Sequence, residues 1–200
     1  YRALPNDPGV AQQWHHAKIQ TPQAWDITTG GLTASGDSIV VCVVEGANLL
    51  HADLVGNRWL NHAEIPGNGI DDDGNGYVDD HRGWNPAGGN DVAYSGSHGT
   101  QVAGMIGAKG NNGSGGVGAN WNVKIMPVTV GSLTQANVIA SYTYPLVMRR
   151  RYNQSGGTQG AFVVATNSSW GIDNGNPASY PLWCAMYDTL GAAGILNCGS

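Results

Sequence analysis

The sequence predicts an α/β fold in three layers, a mainly parallel sheet with helices on both faces, and three observations predict it. The run SIVVCVV at 38–44 is almost continuously β-branched, the mark of a strand buried on both faces. NVKIMPVTV at 122–130, AFVVATNSS at 161–169 and the opening of GILNCGS at 194–200 have the same character. Between them lie segments with helical spacing, and strands that alternate with helices imply parallel pairing through right-handed crossovers.

Taken in order, residues 1–37 read as an irregular arm holding one short helix: Thr21 is placed as N-cap, Pro22 at the first helical position, and Gly30-Gly31 as the end. A Gly-, Asn- and Asp-rich excursion fills 55–97. A helix opens at His98, with Val102, Met105 and Ile106 as its expected buried stripe. Helices are also predicted over 133–152 and 181–193. Arg149-Arg150-Arg151 falls at the end of the first of these, as a solvated terminus that suits the helix dipole. GILNCGS begins a strand with no helix to cover it, which would leave an open edge and a bare face. Residues 1–200 are therefore expected to be the amino-terminal part of a single domain that needs a carboxy-terminal fragment of the same precursor.

Composition narrows the function. Of 200 residues, 41% are hydrophobic and only 12% charged, which excludes a disordered chain or a coiled coil. The net charge is −5 and Arg149–Arg151 is the only basic run, so nucleic acid and anionic lipid are not expected partners. No apolar stretch reaches the roughly 20 residues of a membrane span, and YRALPNDPG has no signal-peptide core. Cys42, Cys184 and Cys198 lack zinc-ligand spacing; free buried thiols are expected, with a Cys184–Cys198 bridge as the alternative.

Glu45 and Glu64 are the only glutamates among fourteen acids. The aspartates gather in turns, most densely in IDDDGNGYVDD. There Asp71, Asp73 and Asn75 occupy positions 1, 3 and 5 of a calcium loop, Gly76 takes the sharp-turn position, and Tyr77 offers a backbone carbonyl at 7. Position 12 is Arg82, so Asp79 or Asp80 is expected to complete the shell. The simpler reading, an acidic surface turn, has to accept five carboxylates in ten residues repelling one another without a cation.

A strand ending at an acid near 45, then HADL at 51–54, GSHGTQVAG at 96–104, NVKIMPVTV and TNSSWG at 166–171 occur in the order and spacing of the subtilisin-like serine proteases. The stretch NDPGVAQQWHHAKIQTPQAWDITTG resembles the mature start of secreted, thermitase-like members. The resemblance implies a serine endopeptidase, secreted or at the cell surface, acting on protein or peptide substrates with calcium as cofactor. It assigns His98 as general base. It also assigns Ser169, Trp170 and Gly171 to a segment that pairs with an extended substrate. Gln101 replaces the family's second histidine, at a position that carries no proton. Asp7, Asp53 and Asn112, with carbonyls near Ser114 and Gly116, match a second calcium site that clamps the arm.

Two departures stand out. The orienting Asp belongs seven residues before the histidine of the HPDL-like motif, and that count from His51 lands on Val44. Either Glu45 supplies the carboxylate after a one-residue deletion, or the third member of the triad is missing. The GTSMA-like segment with the nucleophilic serine, and the oxyanion-hole Asn, do not occur; Ser168 and Ser169 fall in the substrate motif. A calcium-binding pseudoprotease or interaction module on the same fold is the alternative function.

Overall fold

The computed structural model describes residues 4–200, so the first three residues of the predicted arm lie outside the described residues. Four parallel strands, β1 (Ile39–Val43), β2 (Lys124–Pro127), β3 (Phe162–Ser168) and β4 (Leu196–Gly199), form one sheet in the order β2-β1-β3-β4. Alternation along β1 decides the layers. Val40, Cys42 and Val44 face one apolar cluster with Met126, Tyr142, Tyr144 and Leu190; Val43 faces another with Leu54, Ala103 and Ile125. Helices α4 (Gln135–Ser155) and α5 (Pro181–Ala192) cover the first face, and α3 (Ser97–Gly107) covers the second. The expected three-layer fold is the one observed.

Helix α3 is in the predicted place, with Val102 and Ile106 half-buried against the second cluster and Met105 turned out. Gly99, Ala103 and Gly107 are its buried residues, while Met105 is 48% exposed. A Cβ on Gly107 would stand 2.6 Å from Val123 Cγ1, so the helix approaches the sheet through its smallest residues and turns its larger ones outward or to the margin.

The excursion after β1 is not merely loop. Arg58 bridges to Ile125 and Trp84 to Val128, both in parallel sense, so two of its segments lie along the outer edge of β2 and cover it.

The amino-terminal arm holds two short helices rather than one, α1 (Trp14–Lys18) and α2 (Thr21–Trp25), after a 3₁₀ turn at Pro8–Gln12. Gln20, with φ 58°, takes the cap position assigned to Thr21, because Thr21 is drawn inside by His16. The His16 ring is 3% exposed, with Nε2 3.1 Å from the Val117 carbonyl and Nδ1 2.8 Å from the Thr21 hydroxyl. A carbonyl only accepts, so Nε2 carries the proton; the Thr21 hydroxyl lies between Nδ1 and the His16 carbonyl, to which it donates. Burial holds the ring's pKa below its usual value; the Val117 carbonyl opposes this and neighbouring His15 adds to it. A group with a depressed cationic pKa contributes stability in full above the unfolded value of about 6.5 and loses it as pH falls. Amide exchange over residues 14–25 is therefore expected to be faster at pH 5 than at pH 7.5, relative to the sheet. Equal relative protection at both values would overturn this.

The three cysteines are free; Cys42 is buried, but Cys184 and Cys198 are exposed, which corrects the expectation that all are buried and rejects the bridge. The arginine run is also not a solvated helix end, since α4 continues to Ser155. Only Arg150 is exposed. Arg149 donates to the Val163 carbonyl and lies over the Phe162 ring, and Arg151 donates to the carbonyls of Asp73 and Gly74. Both follow from the wide face α4 presents to the sheet and to the acidic loop.

Candidate active site

Strand β1 delivers two consecutive residues to opposite environments. Val44 is buried in the apolar cluster beneath α4 and α5, and Glu45 emerges beyond it. Glu45 Oε2 lies 2.7 Å from His98 Nδ1. Of the two readings left open by the sequence, the geometry therefore selects Glu45 as the carboxylate at the histidine. A carboxylate only accepts, so Nδ1 carries the proton and Nε2 keeps its lone pair; the side chain is 64% exposed and open to a reactant.

The first turn of α3 is fitted tightly to this corner. A Cβ on Gly99 would lie 2.2 Å from the Gly46 carbonyl oxygen and 2.9 Å from Glu45 Cγ, so glycine there makes room for the longer acid. Thr100 Oγ1 accepts from Asn48 N–H and donates to the Gly96 carbonyl, tying the turn after Glu45 to the helix start. Glu45, Gly46, His98 and Thr129–Gly131 line an open groove of about 440 Å³.

Ser169, Trp170 and Gly171 leave the end of β3 beside this corner. Ser169 Oγ accepts from Asn167 Nδ2, and the Trp170 indole donates to the Val44 carbonyl at 2.6 Å. Trp170 and Gly171 also line an apolar cavity of about 290 Å³ with Tyr180, Trp183, Tyr187 and Gly199.

At the acidic loop, Asp71 and Asp73 come together as expected, but Glu64 joins them; one oxygen from each lies within 4.8 Å of the others. Asp71 accepts from the Asn75 and Gly76 N–H groups, and Gly76 has the positive φ its position requires. Glu64 is 4% exposed and the Asp73 side chain 9%, yet Glu64 Oε2 and Asp73 Oδ1 have no hydrogen-bond partner. Two of the three carboxylates thus keep a buried oxygen without a donor, beside Asp71, and such a cluster fits a hard cation such as calcium.

Asp79 and Asp80 do not close the shell. Asp79, at φ 54°, turns away to accept from the N–H groups of Asn68 and Gly69. Asp80 is fully buried and accepts from Asn61, Asn75 and Tyr144; burial, opposed by those bonds, raises its pKa to about 6. Asn75 is likewise drawn inward, its Nδ2 donating to Asp73 and Asp80 and its Oδ1 accepting from Tyr77 N–H. The Tyr77 ring packs on Trp84 and Tyr144. Glu64 was missed because it lies outside the loop's own spacing; its one sequence signal is being the second of two glutamates, just ahead of the acidic run.

Asp7, Asp53 and Asn112 also meet, but through hydrogen bonds. Asp7 accepts from the N–H groups of Asn111 and Asn112, and Asp53 from Asn112 Nδ2 and Gly116 N–H. The Asn112 side-chain oxygen accepts from Ser114 N–H. Every carboxylate oxygen here has a donor; Gly116 presents its N–H to Asp53, and Ser114 presents its own to Asn112. In the structure these direct hydrogen bonds hold the arm.

A carboxylate-bound imidazole at a helix start, beside the end of β1 on a parallel sheet, can serve chemically as an acid–base pair. The chain belongs to the subtilase family, peptidase S8, which it matches over residues 36–196. It is 33% identical over 151 residues to an extracellular basic protease of Dichelobacter nodosus, covering 64% of this chain and 23% of that protein. It is 36% identical over 124 residues to subtilisin-like protease 1 of Plasmodium berghei, covering 60% and 20%. A solved protease of Pseudoalteromonas arctica shares the fold with a TM-score of 0.57 at 23% identity, covering 98% of this chain and 58% of that one. The chain thus spans about a fifth to a quarter of those curated relatives. Among the described residues, no helix is long and apolar enough to cross a membrane.

Proposed function

We propose that the protein containing this chain is a secreted, calcium-stabilised serine endopeptidase. The observation that carries the reading is the 2.7 Å bond between Glu45 and His98. In it, His98 Nε2 takes the proton of a serine hydroxyl as that oxygen attacks the scissile carbonyl, then returns it to the leaving amine. Glu45 fixes the Nδ1–H tautomer and stabilises the imidazolium. An extended substrate pairs with Ser169–Gly171 as an added strand, with the apolar cavity beside Trp170 receiving a side chain.

The serine and the oxyanion donors come, in this reading, from a carboxy-terminal part of the same precursor; the greater length of the relatives supports that. Secretion is supported by relatives named as extracellular proteases. Calcium at Glu64, Asp71 and Asp73 would cancel their mutual repulsion and fix the loop. A fluorophosphonate probe tests the whole: labelling of the natural full-length protein, lost on His98→Ala, is expected. A protein that binds calcium and is never labelled would instead be a pseudoprotease.

A further inference from the structure

Glu45 is held at His98 through one oxygen only. Its Oε1 is buried and has no hydrogen-bond partner among the described residues, so the carboxylate's position depends on the backbone that carries it. That backbone is Val44, whose N–H donates to the Asn167 carbonyl as the last rung between β1 and β3. The next rung of a parallel ladder would bring Ser169 N–H onto the Val44 carbonyl. The structure has no such bond. The Trp170 indole N–H occupies that carbonyl instead, at 2.6 Å.

The exchange has two effects. It lets residues 169–171 splay from β1, leaving Ser169 N–H free of the sheet, and it keeps the Val44 peptide anchored where the ladder has stopped. The ring is itself fixed, packed 5.8 Å from Trp183 and 6.4 Å from Tyr142 between centroids. We infer that Trp170 is a positioning residue: its indole N–H, by holding the Val44 carbonyl, sets the Glu45 carboxylate against His98. The inference rests on the proposed role of Glu45 and extends it to a side chain that touches neither member of the pair.

The test is a double-mutant cycle on the full-length enzyme with a peptide substrate. Trp170→Phe keeps an aromatic ring and deletes the donor; benzothienylalanine at 170 keeps the bicyclic shape and deletes only the N–H, should the smaller ring disturb folding. Loosening a group by about 1 Å costs on the order of 10²-fold in rate. Each change is therefore expected to lower kcat by 10- to 100-fold with little change in KM. It should also weaken the downfield proton signal of the His98–Glu45 bond in NMR spectra. In a Glu45→Gln background the same changes should lower kcat no further, because Trp170 acts through Glu45. A fall that multiplies fully with that of Glu45→Gln, or a rise in KM at unchanged kcat, overturns the inference while leaving Glu45 in its role. If Glu45→Gln alone leaves kcat unchanged, the role of Glu45 fails and the inference with it.

Discussion

His98→Ala in the full-length protein is expected to lower kcat by on the order of 10⁶-fold while KM stays within about threefold, since a general base acts in the transition state and not in binding. Glu45→Gln should cost about 10⁴-fold: the amide fills the same space but cannot stabilise the imidazolium, and can present a donor to Nδ1. Combining the two should cost no more than His98→Ala alone, because the acid acts only through the imidazole. Wild-type kcat in Glu45→Gln would remove Glu45 from the mechanism and leave His98 to act without an orienting acid. Steady-state kinetics on a chromogenic peptide separates these outcomes.

Calcium removal is expected to have the largest effect on stability. A cation present at 100 times its dissociation constant contributes about 2.7 kcal/mol. For a protein of this size that corresponds to roughly 5–10 °C in Tm. Chelation should therefore lower Tm by about that amount, and Glu64→Gln or Asp73→Asn should abolish the difference between calcium and chelator. Asp79→Asn should leave the difference intact, because its carboxylate serves the Asn68 and Gly69 N–H groups rather than the cluster. Equal melting with and without chelator would refute the site, and loss of the calcium effect in Asp79→Asn but not in Glu64→Gln would restore the loop-only arrangement. Differential scanning calorimetry resolves both.

The strands were legible because burial on both faces leaves an unambiguous record: a β-branched run such as residues 38–44 has few other places to go. The stripe of α3 was only partly legible, for the opposite reason. Hydrophobic spacing points to Val102, Met105 and Ile106, of which two are half-buried, whereas the helix lies so close to the sheet that its fully buried positions are Gly99, Ala103 and Gly107. The histidine was legible from its motif, and Glu45 was the acid the sequence put forward, but against a count that lands on Val44. Val44 and Glu45 satisfy different counting rules, and only the pleat of β1, which sends one inward and the other on toward His98, decides between them. Glu64 reaches the calcium cluster from outside the loop, and spacing within a motif carries no information about residues that arrive from elsewhere. Arg151 was assigned to solvent because a run of three charges gives no hint that its last member finds the carbonyls of Asp73 and Gly74.

The position of β1 has a consequence for how the chain is made. Of the four strands in this sheet it is the first in chain order but an inner one, with Val41 paired to Ile125 on one side and Ala165 on the other. At ribosomal rates of about 5–20 residues per second, those partners follow β1 by several seconds or more. Through that interval an apolar segment with two unpaired edges lacks its sheet partners, and closing such distant parallel pairs is slow once all are present. Slower elongation is therefore expected to lengthen the exposure of β1, and anything that covers that segment until β3 emerges is expected to raise the yield of folded protein.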